Sequence, residues 1–213
     1  MINTVIVEDN AMMQEHLKEM LIKAGKFSIA AVLSDAFLAE KECGRGGVDL
    51  VLMDVQTLHN HSGLAAGEHI KKVSPNTKVI VVTSLVDPEI IARAKRGAAD
   101  SLWYKDHSSS DLMDVICRTM AGESVFPDSS PSVELKDMFS GDISPRQLSI
   151  LRRFVLGMTY EEIADELKIT KDGVRWNINQ LIEKGGFQNK YELLIALVEK
   201  KLIVTSLTDS DDE

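Results

Sequence analysis

The apolar positions of this chain follow two rhythms, and the change between them divides it. Through about the first 120 residues, short apolar runs alternate five times with segments whose apolar residues recur every three or four positions. The runs fall at residues 4–7, 27–33, 49–54, 78–83 and 101–104. The third and fourth are almost continuously apolar, as parallel strands covered on both faces require. The helix-period segments cover residues 11–24, 35–43, 63–72, 88–96 and 109–120. The fourth of these is clearly punctuated, with Asp87 as N-cap, Pro88 at the first helical position and Gly97 just past the end. Five strand–helix repeats in this length predict an α/β fold, a doubly wound five-stranded parallel sheet of order 2-1-3-4-5.

Residues 122–142 lose any sustained period and gain Gly122, Pro127, Pro131 and Gly141. They read as an interdomain linker, with a short helix expected near residues 133–139. From Ile143 the pattern is helical throughout. Ser144 caps a helix opened by Pro145 and closed at Gly157, and Thr159 caps a second, with Glu162 at the capping-box position. Thr170 caps a third helix, which ends near Lys184 before Gly185-Gly186, and a fourth covers residues 190–200. The expected organisation is therefore an α/β domain over 1–121, a linker over 122–142, an all-α four-helix domain over 143–206, and an acidic, disordered tail over 207–213. The second and third helices, joined by a short turn at 168–170, have the helix-turn-helix spacing.

Composition adds limits. A hydrophobic fraction of 44% allows a core, and no run of 18 apolar residues suggests a membrane span. The amino terminus enters its first apolar run without the basic start of a signal peptide, so a cytoplasmic protein is expected. Cys43 and Cys117 lack metal-ligand spacing and read as reduced thiols in or near the core. The net charge of −9 is unevenly spread. Residues 1–142 carry 14 Lys/Arg against 21 Asp/Glu, whereas 143–206 carry 10 against 8. A polyanion-binding surface is therefore to be sought in the helical segment.

In an open parallel sheet, ligands bind beyond the carboxyl ends of the strands. The first strand here ends in Glu8-Asp9, the third in Asp54, the fourth in Thr83-Ser84 and the fifth in Lys105. Three converging carboxylates repel one another, and a hard divalent cation such as Mg2+ relieves them, taking two carboxylates and one backbone carbonyl. A carboxylate nucleophile, a charge-neutralising metal, a lysine and a hydroxyl together fit phosphoryl transfer. Asp54, on the central strand, is the best-placed nucleophile.

These five positions, in order and spacing, resemble the receiver domain of two-component signalling, a flavodoxin-like fold. The resemblance implies that Asp54 accepts a phosphoryl group from a sensor histidine kinase, with Thr83 and Lys105 contacting that group. It also implies that Asp9, Asp54 and the backbone carbonyl of Gln56 hold Mg2+, with Glu8 acting through water. The chain departs from the family where Leu58 and Ser62 replace the usual Pro and Gly after the phosphoacceptor. Asp106 follows Lys105 in place of Pro, and Leu102 stands where relatives carry a switching aromatic. The loop 56–63 is therefore expected to be unusual in shape. His59 and His61 within it read as solvated.

On the third helix of the C-terminal segment, Val174, Ile178, Leu181 and Ile182 share one face and are expected to pack inward. The rest presents Arg175, Trp176, Asn179 and Gln180, the side-chain types that read base edges, apart from Trp176, which is expected to be a buried anchor against the first helix of this segment. Lys171, Asn177 and Lys184 are better placed for phosphates. The stretch from Ile143 to Leu202 resembles the DNA-binding domain of the NarL/LuxR class. The match lies in Ile143-Ser144-Pro145-Arg146, Glu162-Ile163-Ala164, Val174-Arg175, and Lys184 with Gly186, while Gly173 and Asn177 depart from it. The two resemblances imply a transcription regulator that binds double-stranded promoter DNA as a homodimer, controlled by phosphorylation, with no membrane partner and no enzymatic role. The alternative is a regulator whose receiver is a phosphorylation-independent dimerisation platform. An aspartyl-phosphate phosphatase is disfavoured by Gln56, where such enzymes carry a second carboxylate.

Overall fold

The computed structural model describes residues 1–106 and 111–204. The chain forms two compact units, Met1–Ser129 and Ser130–Thr205; the acidic tail 207–213 lies outside the described residues.

The first unit is a parallel sheet of β1 (Ile2–Val7), β2 (Phe27–Leu33), β3 (Leu50–Met53), β4 (Lys78–Thr83) and β5 (Ser101–Tyr104), in the order β2-β1-β3-β4-β5. The helices between them are α1 (Ala11–Ala24), α2 (Ala36–Gly44), α3 (Gly63–Val73), α4 (Pro88–Arg93) and α5 (Leu112–Met120). Alternation along each strand feeds two apolar layers. Val51 and Met53 of β3 pack with Cys43 and Ile70, whereas Leu50 and Leu52 pack with Leu17, Leu21 and Ile116. Each such burial contributes roughly 1.5–3 kcal/mol, so the sheet is held from both sides and its strand ends are fixed in register. Val7 pairs with Met53, and the Asp54 amide donates to the Val7 carbonyl at 2.9 Å. On the far side the Lys105 amide donates to the Thr83 carbonyl, also at 2.9 Å. This register brings residues 8, 54, 83 and 105 to one edge.

The caps do what the sequence implies. Asp87 accepts the Glu89 amide ahead of Pro88, and α4 runs on into one wide turn, Ala94–Ala98, where Gly97 takes φ 129°. Cys43 is buried as expected, but Cys117 faces outward from α5 rather than lying in the core.

The second unit holds α6 (Pro145–Val155), α7 (Tyr160–Leu167), α8 (Lys171–Lys184) and α9 (Lys190–Glu199). Capping boxes at Ser144/Gln147 and Thr159/Glu162 start the first two. The short helix expected near 133–139 does not form. Instead β6 (Glu134–Leu135) and β7 (Met138–Phe139) make a hairpin across Lys136, which takes φ 58°. A turn lets Leu135 and Met138 pair and bury together, and the Asp137 amide ties the hairpin to the Gly185 carbonyl at the end of α8.

Candidate functional site

At the carboxyl edge of the sheet, Glu8 is 2% exposed and Asp54 8% exposed, while Asp9 beside them faces solvent. Both buried carboxylates converge on one cation. The Lys105 ammonium donates to Glu8 Oε2 at 2.5 Å and to Asp54 Oδ2 at 2.7 Å. Asp54 Oδ1 accepts the Val55 amide at 2.7 Å, and Glu8 Oε1 accepts the Asn10 amide at 3.2 Å. Thr83 is wholly buried, its hydroxyl oxygen accepting the Leu85 amide at 3.1 Å. Burial, reinforced by Glu8, pushes the Asp54 carboxyl up to about 6 against the opposing pull of Lys105. Burial acts downward on Lys105, but Asp54 and Glu8 outweigh it and hold the ammonium above its usual range. Two buried carboxylates on one ammonium leave the pocket with surplus negative charge. Glu8, Asp9 and Asp54 present oxygen atoms within 4.8 Å of one another, the donor set of a hard divalent cation.

The loop after Asp54 is as unusual as its sequence. It closes on itself through a Gln56–Ser62 bridge, and His59 and Asn60 both take left-handed backbone, with φ 61° and 59°. Thr57, which nothing in its local sequence singles out, fastens this loop. Its hydroxyl accepts the Ala36 amide at 3.0 Å and donates to the His61 carbonyl at 2.8 Å. Where the loop re-enters α3, a Cβ on Gly63 would lie 1.8 Å from the Asp54 carbonyl oxygen, so only glycine fits. Exposure of His59 and His61 agrees with the sequence, but both are engaged: each ring bonds Asp35. Leu102 and Tyr104 are both buried in β5.

In the second unit, Val174, Ile178 and Leu181 of α8 are buried, the first two packing against Ile150, Ile163 and Ala164 with Ile182 alongside. That fixes which face looks out. Arg175, Asn179, Gln180, Lys171 and Lys184 are exposed. Trp176 is 60% exposed and is not the buried anchor its size suggests, because the inward positions are already filled by the four aliphatic residues. Asn177 is half-buried and turns inward along the helix, donating to the Gly173 carbonyl at 2.8 Å. The cations hold acidic neighbours: Lys171 with Glu161, Arg175 with Asp172 at 3.3 Å, and Lys184 with Asp142 at 3.0 Å. Exposed pairs of this kind contribute about 0–1 kcal/mol, so a polyanion can displace the carboxylates.

Two family models match the chain: the response regulator receiver domain over residues 4–117, and the LuxR family of bacterial regulatory proteins over residues 142–197. The chain is a response regulator with a LuxR-type DNA-binding domain. This response regulator is 30% identical over 167 residues to the response regulator protein VraR of Staphylococcus epidermidis, a match covering 73% of the chain and 76% of that protein. It is 23% identical over 166 residues to the transcriptional regulatory protein YxjL of Bacillus subtilis, with the same coverage. Among solved structures, RcsB of Salmonella enterica serovar Typhimurium, bound to the promoter P1flhDC in the presence of phosphomimetic BeF3-, superposes with TM-score 0.63. That match is at 19% identity, over 97% of this chain and 99% of that one, and shows a shared fold. The families matched by the response regulator are those of regulators rather than of enzymes. Among the described residues, no helix is long and apolar enough to cross a membrane.

Proposed function

We propose that a sensor histidine kinase phosphorylates this protein on Asp54, and that the modified form binds promoter DNA as a homodimer. The observation that carries the reading is the buried Asp54 carboxylate held at 2.7 Å from the Lys105 ammonium beside a second buried carboxylate. In the transfer, an Asp54 oxygen attacks the phosphorus of a phosphohistidine. The N–P bond breaks as the O–P bond forms, and the imidazole leaves with its electron pair and takes up a proton. Lys105 follows the new charge onto the phosphoryl oxygens, and the Thr83 hydroxyl donates to another of them. Glu8, Asp9, Asp54 and the Gln56 backbone carbonyl would hold Mg2+, which when bound neutralises charge on the transferring group.

On α8, Arg175, Asn179 and Gln180 read base edges while Trp176 packs on a methyl or sugar. Lys171 and Lys184 meet phosphates, whereas Asn177, expected to do the same, spends its amide on the Gly173 carbonyl. RcsB, which shares the fold, is solved on promoter DNA, and the outward cations of α8 support the same use here. Dimerisation is supported by α9, where Tyr191, Ile195 and Val198 form an exposed apolar row at helical spacing. Phosphorylation then shifts the population toward the dimer with its DNA-binding unit accessible.

The test is a phosphate-affinity gel after treatment with acetyl phosphate and Mg2+. Wild type should show one retarded band that Asp54→Asn abolishes; retardation that survives in Asp54→Asn refutes the assignment. A second reading, a phosphorylation-independent regulator, draws on Leu102, whose buried aliphatic side chain offers no ring to swing. Equal operator affinity of both gel species would favour it.

A further inference from the structure

We infer that Asp35, His59 and His61 form a second, separate metal site, for a zinc-class divalent transition ion. Asp35 closes the turn after β2 and caps α2, where Oδ1 accepts the Phe37 amide at 3.0 Å. His59 and His61 come from the loop that follows Asp54, and both aim the same atom at that carboxylate. His61 Nδ1 lies 2.6 Å from Oδ1, and His59 Nδ1 lies 3.0 Å from Oδ2. One donor atom from each of the three residues falls within 4.8 Å of the other two.

The convergence is built by the chain. A left-handed pair at His59 and Asn60 throws both imidazoles to one side of the loop. The Leu58 amide bonds the Ser34 carbonyl at 2.9 Å, locking the loop beside the Asp35 turn, and Thr57 bonds across to Ala36. Two borderline imidazole nitrogens beside a single hard carboxylate oxygen favour Zn2+, Cu2+ or Ni2+ over Mg2+ and Ca2+, which want oxygen throughout. The side chains of His59 and His61 are 73% and 47% exposed, so an ion enters freely and keeps a water in its fourth tetrahedral position. Glu40 lies within electrostatic reach of His61 and adds negative charge at the rim. Bound there, the ion would staple the loop after Asp54 to the start of α2. The site shares no residue with the acidic pocket and stands whether or not Asp54 is phosphorylated.

The experiment uses the full-length protein, stripped of metal and held in excess Mg2+, titrated with Zn2+ against a chromophoric chelator and separately with Co2+. Wild type should take up one equivalent of Zn2+ and give the strong visible ligand-field bands of four-coordinate Co2+. Losing a supporting partner of a metal ligand already costs about 10- to 100-fold in affinity, so the double variant His59→Gln/His61→Gln should lose at least that much, together with the Co2+ bands. Asp9→Ala/Asp54→Asn should retain both. The histidines are exposed, and unchanged circular dichroism would show that the double variant folds. The proposal fails if wild type and the histidine variant bind equally, if only the acidic-pocket variant loses Zn2+, or if the Co2+ spectrum shows thiolate charge transfer from Cys117.

Discussion

Replacing Asp54 by Asn should stabilise the metal-free protein, and the gain should grow with pH. Asp54 is buried beside Glu8, and one ammonium serves both carboxylates. Its carboxyl is pushed up to about 6 from 3.8, first by burial and then by Glu8, with Lys105 opposing. For a group whose folded pKa is raised, the stabilising contribution is complete below the unfolded pKa and is lost as pH rises through the folded value. Wild type therefore loses stability from this group between about pH 4 and 6, and Asn, which never ionises, does not. At about 1.4 kcal/mol per pKa unit, the full loss is about 3 kcal/mol, of which roughly half falls between about pH 5 and pH 8. Comparing the two pH values cancels any pH-independent cost of the amide. The assay is urea unfolding in EDTA followed by Trp103 fluorescence, in a Trp176→Phe background so that only the first unit reports. Mg2+ should narrow the gap by binding folded wild type. A gap that is constant with pH, or that shrinks as pH rises, would refute the account of the pocket's charge.

Gly63→Ala should destabilise the same unit by about 1–3 kcal/mol or more, since its Cβ would meet the Asp54 carbonyl oxygen at 1.8 Å; an unchanged urea midpoint would show that the loop after Asp54 yields freely. Asp9→Ala should slow Mg2+-dependent labelling by acetyl phosphate about tenfold or more with little change in stability, because Asp9 is exposed; labelling at the wild-type rate would remove it from the metal set. Arg175→Ala should weaken operator binding about tenfold or more and relax preference at one base. Lys184→Ala should weaken cognate and scrambled duplexes alike and lower the salt slope by about one. Titrations at several salt concentrations separate these two effects, and the reverse pattern would turn α8 around in the groove.

What the sequence alone determined is what depends on neighbours along the chain. The apolar runs of β3 and β4, the caps at Asp87, Ser144, Thr159 and Thr170, and the inward row on α8 are set by periodicity and by hydrogen bonds spanning two to four residues. Such interactions survive without knowledge of the rest of the fold. Parallel strands with short connections then bring their ends to one edge, so Glu8, Asp54, Thr83 and Lys105 were legible as a group from their order alone. Tertiary structure decided everything that turns on which distant atoms meet. That Lys105 bridges both buried carboxylates follows from the register of β5 against β4, and the raised Asp54 carboxyl follows from that burial. His59 and His61 read as solvated because their partner, Asp35, is more than twenty residues away on another loop. The 134–139 hairpin escaped detection because it is tied down by a distant segment, the Asp137 amide donating to the Gly185 carbonyl, and not by a period in its own sequence. Trp176 is outward because the aliphatic residues beside it had already filled the core, a competition for volume that no single helix reveals.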